Sequence, residues 1–211
     1  MADTLDILTI AEGRAAVKIG SGDTSQDTDL AAQITAVSRR LDQAAGPIVV
    51  RTITDELHDG GCDRIWLQSY PITSFTTVTE YDGTTGTVLT AETVGTEPST
   101  GYLADRYGPN PALYSGCLHR RSGGSDWAFS SGRLNVKVTY VAGRYATTAV
   151  VDERFKQAGR IMLQNLWRAG LETALLGDEY DVPAQAFPGF AIPNAVRQLL
   201  AEEWQDQSSF A

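Results

Sequence analysis

An apolar stripe at helical spacing is the strongest pattern in the chain, and it lies between residues 27 and 45. Its members recur every three or four residues, which places them on one face of an α-helix: Leu30, Ile34, Val37 and Leu41. Asp27 is expected to cap this helix, because its carboxylate can accept hydrogen bonds from the free N–H groups of the first turn. Gly46 and Pro47 then end the helix, since glycine adopts the left-handed conformation and proline forbids continuation.

Three further helices are predicted. Thr9 and Glu12 have the spacing of a capping box and open a helix over 9–19. A second stripe predicts a helix over 148–169 that Gly170 ends; its members are Val151, Phe155, Ala158, Met162 and Leu166. A final helix is predicted over 193–204, because proline is tolerated in a first helical turn.

Between residues 47 and 146 the chain is rich in Thr, Val, Tyr and Gly, which is typical of strands and turns. Strands are predicted near residues 48–57, 63–69, 74–81, 86–93, 100–106, 113–120 and 134–142. The last alternates most clearly, with Leu134, Val136, Val138 and Tyr140 on one face. Turns with positive φ are expected at the glycines of Asp59-Gly60-Gly61, Asp82-Gly83 and Ser122-Gly123-Gly124.

Together these elements predict an α+β protein in which a helical bundle carries an inserted antiparallel β-sheet or small β-sandwich. The helical body would comprise residues 1–46 and 147–170, and the inserted β-rich domain residues 47–146. Residues 171–211 would form a C-terminal arm that contains the final helix.

Composition narrows the class of function. The 211 residues carry a formal net charge of −9, which argues against a protein that binds nucleic acid through its phosphates. The basic clusters Arg39-Arg40 and His119-Arg120-Arg121 are short and are interpreted as solvated surface. No apolar run approaches the roughly 20 residues of a membrane helix. The N-terminus lacks the basic region of a signal peptide, so we expect synthesis in a cytoplasm.

Residues with catalytic or metal-binding chemistry are few. Cys62 and Cys117 lack ligand spacing and are interpreted as reduced thiols, with a disulfide or a metal site as lesser alternatives. His58, Asp59, Cys62 and Asp63 could form a cluster, but their spacing fits no usual zinc pattern and a Gly-Gly turn explains it. The sequence therefore predicts no catalytic, cofactor-binding or metal-binding residues and a protein that is not an enzyme. An enzyme that uses the region of His58 and Asp63 is the weakest hypothesis.

Several segments of the chain form a recognisable series. A short helix and an amphipathic helix ending in A-G-P come first, followed by V-x-R-T-I-T. The series continues with YPITSFTTVTEYDG, with VKVTYVAGRY before a helix, and with the late segment GFAIPNAVRQLL. In this order the segments resemble those of the head-tail connector (adaptor, head completion) proteins of long-tailed bacteriophages. The resemblance covers most of the chain, although each motif is a packing or turn pattern.

This resemblance implies a structural virion protein. Such a protein forms a ring, here expected to hold 12 copies, beneath the capsid portal protein, and links it to a neck stopper or tail-terminator protein. DNA would pass through the ring without specific binding, and the acidity of the chain would favour a channel that weakly repels it. The resemblance also implies location in the neck of the virion, after synthesis in the cytoplasm of a bacterial host, and no membrane partner.

The residues expected to face the portal lie in the C-terminal arm, where apolar side chains occur on a segment poorly suited to a core of its own. They are Phe187, Phe190, Ile192, Val196, Leu199, Leu200 and Trp204. Folding back of the last helix on its own domain is an equal alternative. A different function, a monomeric β-rich ligand-binding module with a helical cap, would use aromatic residues: Tyr102, Tyr107, Tyr114, Trp127 and Phe129.

Overall fold

The computed structural model describes residues 3–175 and 191–203. The chain divides into two compact units. Met1–Val49 and Tyr145–Ala211 form one, called here the helical unit, and Val50–Arg144 form the other, the sheet unit. The domain boundaries drawn from the sequence, 1–46 with 147–170, 47–146 and 171–211, stay a prediction.

The helical unit contains four α-helices within its described residues. They are α1 (Ile10–Val17), α2 (Asp27–Ala45), α3 (Glu153–Leu175) and α4 (Asn194–Leu199), and a single 3-10 turn, Thr148–Val150, precedes α3. All four lie where the sequence predicts helices, but α3 begins later and continues past Gly170. None of these helices combines the length and the apolar character needed to cross a membrane.

The helix ends follow local chemistry, with one exception. Thr9 accepts a hydrogen bond from the Glu12 N–H at 3.2 Å, and Glu12 accepts from the Thr9 N–H at 2.8 Å, so the predicted capping box is confirmed. Gly46 ends α2 with a φ of 77°. The prediction that Asp27 caps α2 is wrong, because Gln26 holds that position. Asp27 instead accepts from Arg14 Nε at 2.8 Å, which ties α1 to α2.

The apolar stripes of α2 and α3 form the core of the helical unit. The predicted α2 residues Leu30, Ile34, Val37 and Leu41 are almost completely buried. They share one cluster with α3 residues such as Phe155, Met162 and Leu163. Segments outside these two helices, including Ile7, Leu8 and Ile48, close the cluster.

The sheet unit contains one mixed nine-stranded sheet in which the strand order along the main path is β1-β9-β3-β7-β6-β5, with β2 and β8 paired to β7 and β4 to β3. Pairing is antiparallel except between β5 and β6. The strands are β1 (Arg51–His58), β2 (Arg64–Trp66), β3 (Ile72–Asp82), β4 (Thr85–Val88), β5 (Thr90–Ala91), β6 (Gly101–Tyr107), β7 (Asn110–Ser122), β8 (Ser125–Asp126) and β9 (Val136–Ala142).

The predicted fold class is wrong. A helical bundle with an inserted antiparallel sheet or sandwich is not what forms; the fold is β-rich and dominated by one large mixed sheet. Strand positions follow from local alternation, but their partners do not. The parallel pairing of β5 with β6 joins segments that the sequence shows only as separate short strands.

Alternation along β9 shows where the core of the sheet unit lies. Val136, Val138 and Tyr140 are fully buried, as predicted, and pack with Val78 and Leu118. Leu134 is an exception, because it precedes the strand with a φ of 51° and leaves 58% of its surface exposed. Four of the expected turn glycines, Gly61, Gly83, Gly123 and Gly124, adopt positive φ, whereas Gly60 does not.

Candidate functional site

The predicted portal-facing segment is partly built into the core of the helical unit. Ile192, Val196 and Leu200 are buried in that core, and Leu199 is partly buried against it. Pro193 is the N-cap residue of α4 and has an extended backbone conformation. Phe187, Phe190 and Trp204 lie outside the described residues. Four of the seven residues are therefore packed within this chain, and their contact with a portal stays a prediction.

The basic cluster Arg120-Arg121 is an internal ion-pair network, so its interpretation as solvated surface is wrong. Arg120 is buried and binds Glu80 through both ends of its guanidinium, Nη2 to Oε1 at 2.7 Å and Nε to Oε2 at 3.1 Å. Arg121 binds Glu92 in the same manner at 3.2 and 3.4 Å and also contacts Asp126. These two guanidiniums are committed to carboxylates and do not form a surface for phosphates.

The cluster considered around His58 does not assemble. His58 Nε2 lies 2.8 Å from a Glu56 carboxylate oxygen. Asp59 accepts from the Leu134 N–H at 2.7 Å, and the Cys62 thiol donates to the Arg64 carbonyl at 2.9 Å. Asp63 lies 3.3 Å from the Arg64 guanidinium. Each of these side chains thus has a separate structural partner, which removes the geometric support for an enzyme at His58 and Asp63.

Glu56 is the centre of a half-buried polar network in the sheet unit. Besides His58, it accepts from the Tyr140 hydroxyl at 2.5 Å and from the Gln68 N–H at 2.9 Å. Burial raises the pKa of Glu56, but hydrogen bonds from His58, Tyr140 and Gln68 outweigh it and bring the pKa below its ordinary value. Burial, together with the Glu56 carboxylate, raises the pKa of Tyr140. The network keeps Glu56 ionised and Tyr140 protonated.

The aromatic residues of the ligand-binding alternative mostly belong to the sheet itself. Tyr102, Tyr107 and Phe129 are buried, whereas Trp127 is 60% exposed. Tyr102 lines an open groove of about 550 Å³ with Tyr114. The guanidinium of Arg106 lies 4.2 Å above the Tyr114 ring and covers that face. Rings held in this way pack the protein and do not form an exposed platform for a sugar or a peptide.

The structure brings together three side chains that the sequence did not connect. Asp105 lies on β6, and Cys117 and His119 lie two residues apart on the adjacent strand β7. His119 Nε2 is 3.4 Å from Cys117 Sγ and 3.0 Å from an Asp105 carboxylate oxygen. The available signal was the Cys-x-His spacing, because residues two apart in a strand share a face. The position of Asp105 depends on strand pairing and could not be read from the sequence.

Comparison with solved structures found a chain with a similar fold. A chain from a structure titled "Neck of empty GTA particle computed with C6 symmetry" superposes with a TM-score of 0.53. The superposition covers 97% of this chain and 93% of the other, at 14% sequence identity. This chain therefore shares the fold of a chain in the neck of a gene transfer agent particle, which is a phage-like particle.

Sequence comparisons add nothing to this likeness: no family model matches the chain, and neither does any curated protein. At 14% identity the structural likeness shows the fold alone. It extends over nearly the full length of both chains, so it includes the helical unit as well as the sheet unit.

Proposed function

We propose that this chain is a non-enzymatic structural protein of a virion neck, and that it acts as a head-to-tail adaptor. It closes into a ring beneath the capsid portal, joins the portal to a neck stopper or tail-terminator protein, and continues the channel for DNA. The fold shared with a neck chain over 97% of this sequence is the observation that carries the proposal.

Ring formation needs a heterologous contact in which one face of a protomer meets a different face of the next. The neck structure that contains the matching chain was computed with sixfold symmetry. A ring of twelve copies, the number that the resemblance implies, is compatible with a sixfold axis. We therefore propose twelve copies, assembled in the neck of the virion after synthesis in the host cytoplasm.

Charge supports a channel through which DNA passes without specific binding. The net charge is −9, and Arg120 and Arg121 are engaged by Glu80, Glu92 and Asp126. A surface that is short of free cations releases few counterions from DNA and so binds it weakly.

The C-terminal segment is proposed to bind the portal through Phe187, Phe190, Ile192, Val196, Leu199, Leu200 and Trp204. Because Ile192, Val196 and Leu200 are buried in the helical unit, their docking on a portal requires α4 to leave that core. Deletion of residues 187–211 would therefore confound binding with loss of stability. A chain that ends at Glu203 keeps every described core residue and is the sharper variant.

The first experiment is light scattering of the purified chain, alone and mixed with its candidate portal, followed by negative-stain imaging. We expect either a ring or a monomer that joins portal rings. The chain ending at Glu203 should keep its circular dichroism spectrum and bind the portal more weakly, because it lacks Trp204, one of the seven proposed contact residues. A full-length monomer that ignores the portal would overturn the adaptor proposal, and full binding by the shortened chain would overturn the role of Trp204 alone.

A further inference from the structure

Three chemically different ligand groups converge on one point of the sheet unit. The Asp105 carboxylate, the Cys117 thiol and the His119 imidazole each offer one donor atom, and these atoms lie within 4.8 Å of one another. Cys117 is 1% exposed, whereas the His119 side chain is 24% and the Asp105 side chain 49% exposed. The cluster thus has a buried sulfur at its base and an opening to solvent on the side of Asp105.

The distances match those between ligands of a tetrahedral zinc ion. Zinc binds sulfur at about 2.3 Å and nitrogen or oxygen at about 2.0–2.2 Å, so neighbouring ligand atoms lie about 3.3–3.5 Å apart. The observed Sγ to Nε2 distance is 3.4 Å, and the Nε2 to Oδ2 distance is 3.0 Å. The third pair of donor atoms, Cys117 Sγ and the Asp105 carboxylate oxygen, lies within 4.8 Å.

The same contacts do not form a catalytic triad. A histidine base in a triad uses one ring nitrogen for the nucleophile and the other for the orienting carboxylate. Here Nε2 faces both Cys117 and Asp105. Burial, reinforced by the Asp105 carboxylate, also raises the pKa of Cys117 to about 11, which keeps the sulfur a thiol and a weak nucleophile.

Backbone geometry fixes the three residues in place. Ala104 pairs with Leu118 while Arg106 pairs with Tyr114, so β7 has two extra residues opposite Asp105. Such bulges re-aim side chains and are common beside functional sites. Leu118, between the two β7 ligands, is buried in the core of the sheet unit, so Cys117 and His119 project from the opposite face.

From this geometry we propose that Asp105, Cys117 and His119 bind one Zn²⁺ ion, with water in the fourth position. A thiolate, an imidazole and a carboxylate together suit zinc better than Mg²⁺ or Ca²⁺, which prefer oxygen alone. The ion would cross-link β6 to β7. The proposal does not depend on the role of the chain in a virion neck.

Binding exchanges protons for the metal. Without metal, the Cys117 thiol and the His119 Nε2–H can both donate to Asp105. When Zn²⁺ binds, the thiol proton leaves to solvent and the Zn–S bond forms, while the imidazole proton moves to Nδ1 and frees Nε2. One proton is released per ion, and affinity rises with pH.

The nearby charges permit this exchange. Arg64 pairs with His119 across the strands, and its guanidinium lies 3.3 Å from the Asp63 carboxylate, which offsets its charge. With Zn²⁺ bound, the positive charges of the ion and Arg64 equal the negative charges of Asp63, Asp105 and the Cys117 thiolate.

The test uses the full-length protein after removal of metal by a chelator. Titration with Co²⁺, which replaces Zn²⁺ and is coloured, should give one equivalent of binding with a thiolate-to-metal charge-transfer band. Calorimetric titration with Zn²⁺ in buffers of different ionisation enthalpy should report release of one proton. Absence of the charge-transfer band in the unmodified protein would overturn the proposal.

Matched variants identify the ligands. Cys117→Ser should abolish the charge-transfer band, whereas Cys62→Ser, at the exposed cysteine, should leave it unchanged. His119→Gln and Asp105→Asn should each weaken Zn²⁺ binding by about 100-fold or more, since loss of even an outer partner costs about 10–100-fold. His58→Gln is the control for histidine.

Asp105→Asn decides the matter if the buried Cys117→Ser variant fails to fold, because the Asp105 side chain is half exposed. Unchanged affinity in Asp105→Asn, or loss of the band in Cys62→Ser, would overturn the assignment.

Discussion

The two units of this protein bury polar groups in different ways. In the helical unit, buried polar side chains support neighbouring backbone: the Ser38 hydroxyl accepts from the Ile7 N–H at 3.1 Å and donates to the Ile34 carbonyl at 2.8 Å. In the sheet unit, full charges are buried against each other, as Arg120 and Glu80 show. The helical unit also pairs a buried cation, Lys156, with Glu12, but that carboxylate is partly exposed, whereas both members of the Arg120–Glu80 pair are buried. The helical unit therefore depends mainly on apolar packing, and the sheet unit depends in addition on a fully buried ion pair.

This difference has an energetic consequence. Removal of a buried apolar side chain costs its transfer energy and the cavity that remains. Removal of one member of a buried ion pair leaves the other charge without a partner in a low-dielectric site, which costs more than the pair contributes. Single substitutions should therefore destabilise the two units for different reasons: a cavity in the helical unit and an unpaired charge in the sheet unit. Double substitutions that remove both members of an ion pair should distinguish these two causes.

Arg120→Ala should have the largest effect. It leaves the Glu80 carboxylate, which is 7% exposed, with only the Ser130 N–H at 3.3 Å. We expect the free energy of unfolding to fall by about 3–5 kcal/mol. The measurement is urea denaturation, with hydrogen exchange to show that the loss lies in the sheet unit.

Two controls make this result specific. The double variant Arg120→Met with Glu80→Leu should recover most of the loss, because no unpaired charge remains. Arg39→Ala removes the half-exposed ion pair with Asp3 and should cost about 0–1 kcal/mol. A double variant no more stable than Arg120→Ala would contradict the view that the unpaired charge causes the loss.

Leu200→Ala tests whether the C-terminal segment belongs to the apolar core of the helical unit. Leu200 is fully buried in that core, so its truncation should cost about 2–5 kcal/mol. Thermal unfolding measures the loss, and Gln198→Ala, at an exposed position of α4, is the matched control. Equal stability of the two variants would mean that α4 spends much of its time away from the core.

Acid should weaken the sheet unit through Glu56. Because the pKa of Glu56 is lower in the folded state than its ordinary value of 4.5, its contribution to stability is present above that value. The contribution is lost as the pH falls through the folded value. Glu56→Gln should therefore reduce stability at neutral pH and make the decline in acid shallower, as measured by urea midpoints across that range.

Glu97→Gln, at an exposed carboxylate of the same unit, serves as the control for this experiment. An acid decline as steep in Glu56→Gln as in the unmodified protein would show that other groups dominate the acid response of the sheet unit.

Local features were predictable from the sequence, and long-range pairings were not. The α2 stripe from Leu30 to Leu41 and the alternation of β9 predicted which residues are buried, because spacing alone determines the face. Asp27 has the side chain of a helix cap, but its carboxylate accepts a hydrogen bond from Arg14 instead. The residues next to Asp27 in the sequence do not indicate that contact. The dominance of one mixed sheet was missed because strand partners depend on global topology.

The candidate sites show the same division. Arg120 and Arg121 were interpreted as surface residues because their partners are distant in sequence. Glu80 lies 40 residues before Arg120, and Glu92 lies 29 residues before Arg121. Ile192, Val196 and Leu200 were expected to face the portal because their segment was interpreted as poorly suited to a core of its own, yet they pack in the core of the helical unit. Asp105 meets Cys117 and His119 only through the β6–β7 pairing and its bulge.

Thr9→Ala should have the smallest effect, and it tests the helical unit at a feature that was visible in the sequence. The substitution removes the acceptor for the Glu12 N–H and should cost about 1 kcal/mol. Glu12 also binds Lys156 Nζ at 2.7 Å, so a substitution of Glu12 would remove the ion pair as well as the cap. A substitution of Thr9 changes the cap and leaves the ion pair in place. Thr9→Ser keeps the hydroxyl and should retain full stability, as measured by thermal unfolding. Equal losses in the Ala and Ser variants would assign the effect to the lost methyl group, and the helical unit would then depend on apolar contact even at its capping box.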